Sequence, residues 1–135
     1  SQKSNLRLHS CYYQRRKTVS NGIALDEAHY QKLLESTYNG CSRRVGCGII
    51  DIVTDKEIIE IKDWRNWKLA IGQIITYSYY YPKHQKRLHF FGKSIKQETI
   101  TEIVKICTMY NIQVSYSSNA EDIIFLTTTK PKSIK

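Results

Sequence analysis

The sequence lacks an apolar run approaching the ~20 residues of a membrane-spanning helix, and it lacks the basic-then-apolar leader of a secretory precursor. Its four cysteines form no C-x-x-C pair and have no histidine at metal-ligand spacing, which argues against a zinc or iron–sulfur site. We therefore expect no membrane association and reduced thiols in a reducing, intracellular compartment. The cysteines are Cys11, Cys41, Cys47 and Cys107.

Acidic residues and methionine are also scarce. The chain has 12 Asp and Glu and 21 Lys and Arg, which gives a formal net charge of +9. This charge favours polyanionic partners, and nucleic acid is the first candidate. The single methionine, Met109, lies inside the chain and the first residue is Ser1, so we expect a piece of a longer or processed product. At 135 residues and 41% hydrophobic content, the chain suffices for one folded domain with a single core.

One domain with a basic segment at each end is the expected organisation. Residues 1–22 are basic and aromatic without a clear period, residues 24–116 form the core, and residues 128–135 form a basic tail. Helical and strand patterns alternate through the core, which predicts an α/β domain whose mixed sheet has helices on both faces. The predicted helices cover 24–36, 64–80 and 96–110, and the predicted strands cover 43–45, 48–53, 57–62, 86–92 and 112–116.

The segment GIIDIVTDKEIIEIK, residues 48–62, is a predicted hairpin that carries carboxylates inside two apolar strands. A symmetric turn at its centre places Asp51 directly across from Glu60. Strict alternation of side chains then puts Ile50 and Ile52 together on the face opposite Asp51. The register therefore brings two acidic side chains together on one face of the sheet.

Two opposed carboxylates call for a positive partner. Their repulsion costs sheet stability and grows with burial, unless a cation lies between them. Carboxylate oxygens are the ligands that magnesium and manganese prefer. Asp51 and Glu60 therefore predict a site for a hard divalent ion, and Lys62 adds a further positive charge on the same face.

These residues resemble the signature of the PD-(D/E)xK nuclease superfamily, an Asp on one strand and (D/E)-x-K on the next. Here the signature is Asp51 followed by Glu60-Ile61-Lys62, with Ile50 in place of the leading Pro. The next helix adds a second likeness, because Gln73-Ile74-Ile75-Thr76-Tyr77 resembles the QxxxY motif of the RecB and lambda-exonuclease branch. A spacing of four places both motif side chains on one helical face. The resemblance covers residues 24–92.

The resemblance implies a restriction-endonuclease-like core of αβββαβ order that hydrolyses phosphodiester bonds with Mg²⁺ or Mn²⁺. It implies that the metal is held by Asp51, Glu60 and the Ile61 carbonyl, with Glu27 of the first helix assisting directly or through water. Asp26 and Glu35 remain alternatives to Glu27 as the helical carboxylate. DNA is the favoured substrate, with RNA as the alternative, and endonucleolytic cutting is favoured.

The remaining roles follow from the same resemblance. Lys62 orients or deprotonates the attacking water and neutralises the scissile phosphate, and Gln73 positions Lys62 or the phosphate backbone. Trp64 and Trp67 are candidates for base stacking, with packing between helix and sheet as the alternative, and core packing is also the alternative for the motif tyrosine. The residues expected to contact nucleic acid are Arg43, Arg44, Arg65, Lys68 and Tyr77.

Two other functions are compatible with the sequence. A non-catalytic nucleic-acid-binding module on the same fold is the first alternative, and an unrelated α/β interaction domain is the second. The oligomeric state is left open, with a dimer compatible with the sequence.

Overall fold

The computed structural model describes residues 25–93 and 95–127. The basic segments predicted at 1–22 and 128–135 lie outside the described residues. None of the helices in the described ranges is long and apolar enough to cross a bilayer. The elements in chain order are α1 (Glu27–Tyr38), β1 (Cys41–Val45), β2 (Gly48–Val53), β3 (Glu57–Asp63), a 3-10 turn (Trp64–Asn66), α2 (Trp67–Ser78), β4 (Gln85–Phe91), α3 (Gln97–Met109), β5 (Ile112–Tyr116) and β6 (Ile124–Phe125).

The described strands form one mixed sheet in the order β1-β2-β3-β4-β5-β6. The first three strands are antiparallel, β4 and β5 run parallel to β3 after helical crossovers, and β6 is antiparallel to β5. One apolar cluster lies between the sheet and helices α2 and α3, and a second lies between the opposite face and α1. The α/β class with helices on both faces is confirmed, and the restriction-endonuclease-like identity of the core stays a prediction.

Local capping explains where the structure differs from the predicted helix bounds. The first helix begins later than predicted because the Asp26 side chain accepts a hydrogen bond from the His29 backbone N–H, as an N-cap does. It ends at Asn39, whose φ of 55° is left-handed. The predicted helix over 64–80 is divided, because Asp63 caps a separate 3-10 turn ahead of α2. Strand β6 has only two residues and was not predicted.

A bulge in β2 corrects the predicted alternation of its side chains. Cys41 pairs with Val53 but Arg43 pairs with Ile50, so β2 holds one residue more than β1 over this stretch. As a result Ile50 packs in the cluster beneath α2 and α3, whereas Ile52 packs in the cluster beneath α1. The prediction that these two isoleucines share a face is therefore wrong.

The face covered by α1 also contains a buried polar network. The Arg87 guanidinium is fully buried, donates to both carboxylate oxygens of Glu57 and to Ser115 Oγ, and lies between two aromatic rings. His89, two residues along β4, hydrogen-bonds Ser115 Oγ and Ser117 Oγ at 2.8 Å each. Burial, reinforced by the positive charge of Arg87, lowers the pKa of His89 to about 3, so its ring is neutral at ordinary pH.

This burial predicts acid sensitivity of the fold. His89 takes up a proton near pH 6.5 in the unfolded chain but only near pH 3 in the folded chain. Its contribution to the free energy of unfolding is therefore fully present above pH 6.5 and is lost as the pH falls toward 3. At pH 4 the loss amounts to about 3 kcal/mol, at about 1.4 kcal/mol per pKa unit. Denaturation of wild type and His89→Asn between pH 7 and pH 4 measures this loss. We expect the free energy of unfolding to depend less steeply on pH in the variant. Equal pH dependence in both proteins would contradict the lowered pKa of His89.

Candidate metal centre

The predicted carboxylate pair is present at the point where β2 and β3 stop pairing through their backbones. The pairs Val53–Ile58 and Ile52–Ile59 confirm the hairpin register, which sets Asp51 opposite Glu60. There the side chains replace the backbone ladder. The Asp51 N–H donates to Glu60 Oε2 at 2.9 Å, and the Ile61 N–H donates to Asp51 Oδ2 at 2.7 Å. Each carboxylate thus bonds the backbone of the other's strand.

Burial makes this pair electrostatically costly. Asp51 is 1% exposed and Glu60 is 2% exposed. Loss of solvent, followed by the charge of Asp51, raises the pKa of Glu60 well above its ordinary range, against the opposing effects of the Asp51 N–H and the Lys62 charge. A bound divalent cation would relieve this repulsion, and two adjacent carboxylates are the donors that such a cation prefers. The residues therefore fit the predicted ion.

The ligand set rests on few protein groups. Within residues 25–93 and 95–127, no group of three or more His, Cys, Asp and Glu side chains is placed to hold a metal ion. A cation bound by Asp51 and Glu60 would need further oxygen donors, and the predicted sources are the Ile61 carbonyl and Glu27, the latter directly or through water. The role of the Ile61 carbonyl stays a prediction.

A cleft of about 540 Å³ opens where β3 and β4 end, and both Glu27 and Lys62 line it. The structure thus brings the predicted helical carboxylate and the predicted lysine to one cavity. Arg65 also lines the cleft but is engaged, because its guanidinium bonds both carboxylate oxygens of Asp63 at 2.9 and 3.1 Å. The complete lining is Leu25, Asp26, Glu27, Lys62, Asp63, Arg65, Asn66, Phe91, Gly92 and Lys93.

Of the two motif residues on α2, Tyr77 is the one that the structure places near the carboxylates. Burial, followed by the charges of Glu60, Cys47 and Asp51, raises the pKa of Tyr77 to about 12. Its hydroxyl packs so closely on Gly48 that a Cβ there would lie 2.6 Å away, which leaves room only for glycine. Tyr77 therefore packs in the core beside the carboxylate pair.

Gln73 is the other motif residue on α2. It is half-buried one turn before Tyr77, and its Oε1 is buried with no hydrogen-bond partner in the described part of the chain. A buried amide oxygen without a donor is unusual and is consistent with a functional contact. Its predicted contact with Lys62 or phosphate stays a prediction.

The remaining predicted residues lie on β1, on the 3-10 turn and on α2. Arg43 is half-buried and Arg44 exposed on edge strand β1, and exposed Lys68 lies 5.7 Å from the ring centroid of Trp67. Trp64 is buried and stacks on Phe90 with centroids 4.5 Å apart, so base stacking by Trp64 is excluded in this fold. The predicted contacts with nucleic acid stay predictions for all five residues: Arg43, Arg44, Arg65, Lys68 and Tyr77.

Gln31, which was not among the predicted site residues, reaches the pair from α1. Its side chain is fully buried, and its Nε2 donates to the Asp51 carbonyl at 2.7 Å and to Glu35 Oε2 at 2.9 Å. Because Asp51 lies in the β2 bulge, this bond holds the backbone that carries the carboxylate. A polar residue between Tyr30 and Leu34 on the buried face of α1 was the signal that could have revealed it.

Removing the Gln31 amide tests whether it holds the bulge. Gln31→Leu leaves the buried Asp51 carbonyl without its donor, so we expect a loss of about 1–3 kcal/mol in the free energy of unfolding. The control Thr37→Val alters an exposed hydroxyl of the same helix and should stay within about 0.5 kcal/mol. Urea denaturation measures both, and a Gln31→Leu variant as stable as wild type would contradict this role.

Neutralising Glu60 should stabilise the fold. Because the folded-state pKa of Glu60 is raised above its ordinary 4.5, its contribution to stability is lost as pH rises through the folded value. With chelator at neutral pH, Glu60→Gln should therefore have a larger free energy of unfolding than wild type, because the amide carries no buried charge.

Denaturation at neutral and mildly acidic pH checks this prediction, with Glu102→Gln on the exposed surface of α3 as the control. Added Mn²⁺ should then stabilise wild type more than Glu60→Gln, because only the wild type keeps both carboxylates. A variant less stable than wild type under chelator would show that the Glu60 charge is not the costly group.

The comparisons with known proteins are limited to parts of larger chains. Putative KilA-N domain-containing proteins R878, L33 and L32 of Acanthamoeba polyphaga mimivirus are 45%, 37% and 36% identical to this chain over 83, 89 and 73 residues. These matches cover 61%, 65% and 53% of this chain, but only 23%, 35% and 20% of the relatives. The chain thus spans about a third of their length or less, and their names describe much larger proteins.

No protein-family model matches the chain, and no solved structure matches it. The resemblance to PD-(D/E)xK nucleases therefore stays a prediction.

Proposed function

We propose that this chain is a nucleic-acid-binding domain that hydrolyses phosphodiester bonds with a divalent cation held by Asp51 and Glu60. The observation that carries the hydrolytic part is the opposition of these two buried carboxylates across the β2–β3 hairpin. The nucleic-acid part is supported independently, by the distribution of charge and by the relatives.

Charge is distributed so that a polyanion can approach the pair. No Asp or Glu occurs between Glu35 and Asp51, a stretch that contains β1, or between Asp63 and Glu98, a stretch that contains α2. The first stretch carries Arg43 and Arg44, and the second carries both Lys and Arg, so the charged side chains of β1 and α2 are all cationic. Such a surface attracts phosphates without sequence preference.

The mimivirus relatives are named for a KilA-N domain, and KilA-N domains typically bind DNA. The alignments cover a minor part of each relative and do not place that domain in the shared segment. The relatives therefore support nucleic acid as the partner and carry no argument for cleavage.

The pair, the lysine and glutamate of the cleft, and Tyr77 each have a task in the proposed hydrolysis. The cation would lower the pKa of a water molecule and stabilise charge on the phosphate. Lys62, which lines the cleft and acts electrostatically on Glu60, neutralises a phosphate oxygen and orients the attacking water. Tyr77, whose pKa burial raises to about 12, stays neutral and so adds no negative charge beside the carboxylates. Glu27 holds a water molecule from the other side of the cleft.

A non-catalytic binding module is the second candidate function. The two carboxylates already accept hydrogen bonds from backbone N–H groups at 2.9 and 2.7 Å, so the fold partly satisfies them without a cation. The names of the relatives also fit binding alone.

Cleavage of circular and linear single- and double-stranded DNA and RNA with Mn²⁺ separates the two functions. We expect cutting by wild type and by the surface control Glu102→Gln, and a loss of at least about 100-fold in Asp51→Asn and Glu60→Gln, the size typical of removing a key charged group from an active site. Cutting of circles would establish an endonuclease. If no form cuts any substrate and all bind nucleic acid equally, the binding module is the correct function.

A further inference from the structure

Tyr79 is an exposed aromatic residue that the proposed mechanism does not use. Its side chain is 79% exposed, more than any other large apolar side chain described. It caps the C-terminal end of α2, where its backbone N–H donates to the Thr76 carbonyl. Its ring meets that of Tyr80 edge-on, with centroids 5.0 Å apart and planes at 87°. A T-shaped contact orients the Tyr79 ring without covering both of its faces.

Tyr80 in turn is fixed against the turn between β1 and β2. Its hydroxyl lies 2.9 Å from the position of a Cβ on Gly46, and it exchanges hydrogen bonds with the side chain and backbone of Cys47. Tyr77 contacts the same hairpin at Gly48. The end of α2 is thereby tied to the start of β2, three residues before Asp51, and the position of the Tyr79 ring is set relative to the carboxylate pair.

The chain around Tyr79 is basic. Lys83 is exposed four residues after Tyr79, and no Asp or Glu occurs between Asp63 and Glu98. An exposed aromatic ring in a basic stretch without acids complements a polyanion that also offers flat apolar surfaces, and nucleic acid has that chemistry.

An open aromatic ring distinguishes unpaired from paired nucleotides. In a duplex the base faces are stacked on one another, so a protein ring can stack only on a base that is unpaired or at an end. Ring stacking is also tolerant of sequence, because every base has a π-face. Stacking on Tyr79 would therefore select for unpaired bases and would not select for sequence.

We infer that Tyr79 stacks on an unpaired base of the nucleic acid, while Lys83 contacts its phosphates. The substrate class is accordingly single-stranded nucleic acid, or a duplex with an unpaired segment. This inference rests on the nucleic-acid-binding part of the proposed function and not on cleavage.

Fluorescence anisotropy with labelled single-stranded and blunt duplex oligonucleotides, in chelator to prevent cutting, tests the inference. Tyr79→Ala should weaken single-strand binding about 5- to 100-fold, the range of one base–aromatic stack, and change duplex binding less than about twofold. Tyr79→Trp should bind as wild type does. The control Tyr110→Ala removes another exposed tyrosine, at the end of α3, and should have no effect.

The outcomes separate this inference from the proposed function. Equal single-strand binding by wild type and Tyr79→Ala, with duplex binding intact, overturns the stacking role and leaves the proposed function standing. Failure of the wild type to bind any oligonucleotide at low salt overturns both. If sedimentation shows that Tyr79→Ala dissociates a dimer without changing binding, the ring belongs to an interface between copies and the inference is wrong.

Discussion

The exchange of hydrogen bonds between two buried carboxylates and two backbone N–H groups is the constraint on which the rest of this structure depends. Asp51 and Glu60 each bond the strand opposite, so the β2–β3 ladder ends where they stand. Two negative charges this close in a buried place are unfavourable unless they are compensated. The fold retains this electrostatic repulsion between buried carboxylates, and such repulsion is typical of functional sites.

Neighbouring elements serve to keep that pair in place. The Gln31 amide of α1 supports the bulge from one face, and the Tyr77 hydroxyl of α2 packs on Gly48 from the other. Both helices are themselves fixed by apolar clusters, so the site is held by rigid packing on each side of the sheet. A cleft that Glu27 and Lys62 line, though Asp51 and Glu60 do not, opens where β3 and β4 end.

Features of the fold and the site were predictable from the sequence where residues close together in the chain determine them. The hairpin register follows from a short symmetric turn and from alternating apolar residues, so the opposition of Asp51 and Glu60 was predictable. The separation of Ile50 from Ile52 was not, because the bulge is supported by Gln31, twenty residues earlier in the chain. Likewise, periodicity does not show which aromatic residues are covered, so the burial of Trp64 and the exposure of Tyr79 needed the fold.

The most direct test of the central claim is an anomalous-difference map from crystals soaked with Mn²⁺. The account predicts a peak between Asp51 and Glu60 with metal–oxygen distances of about 2.1 Å, as hard octahedral ions have. Asp51 Oδ2 and Glu60 Oε2 would then turn from the backbone N–H groups toward the ion. A map without a peak there, with both N–H bonds intact at saturating Mn²⁺, would contradict the claim that this pair is a metal site.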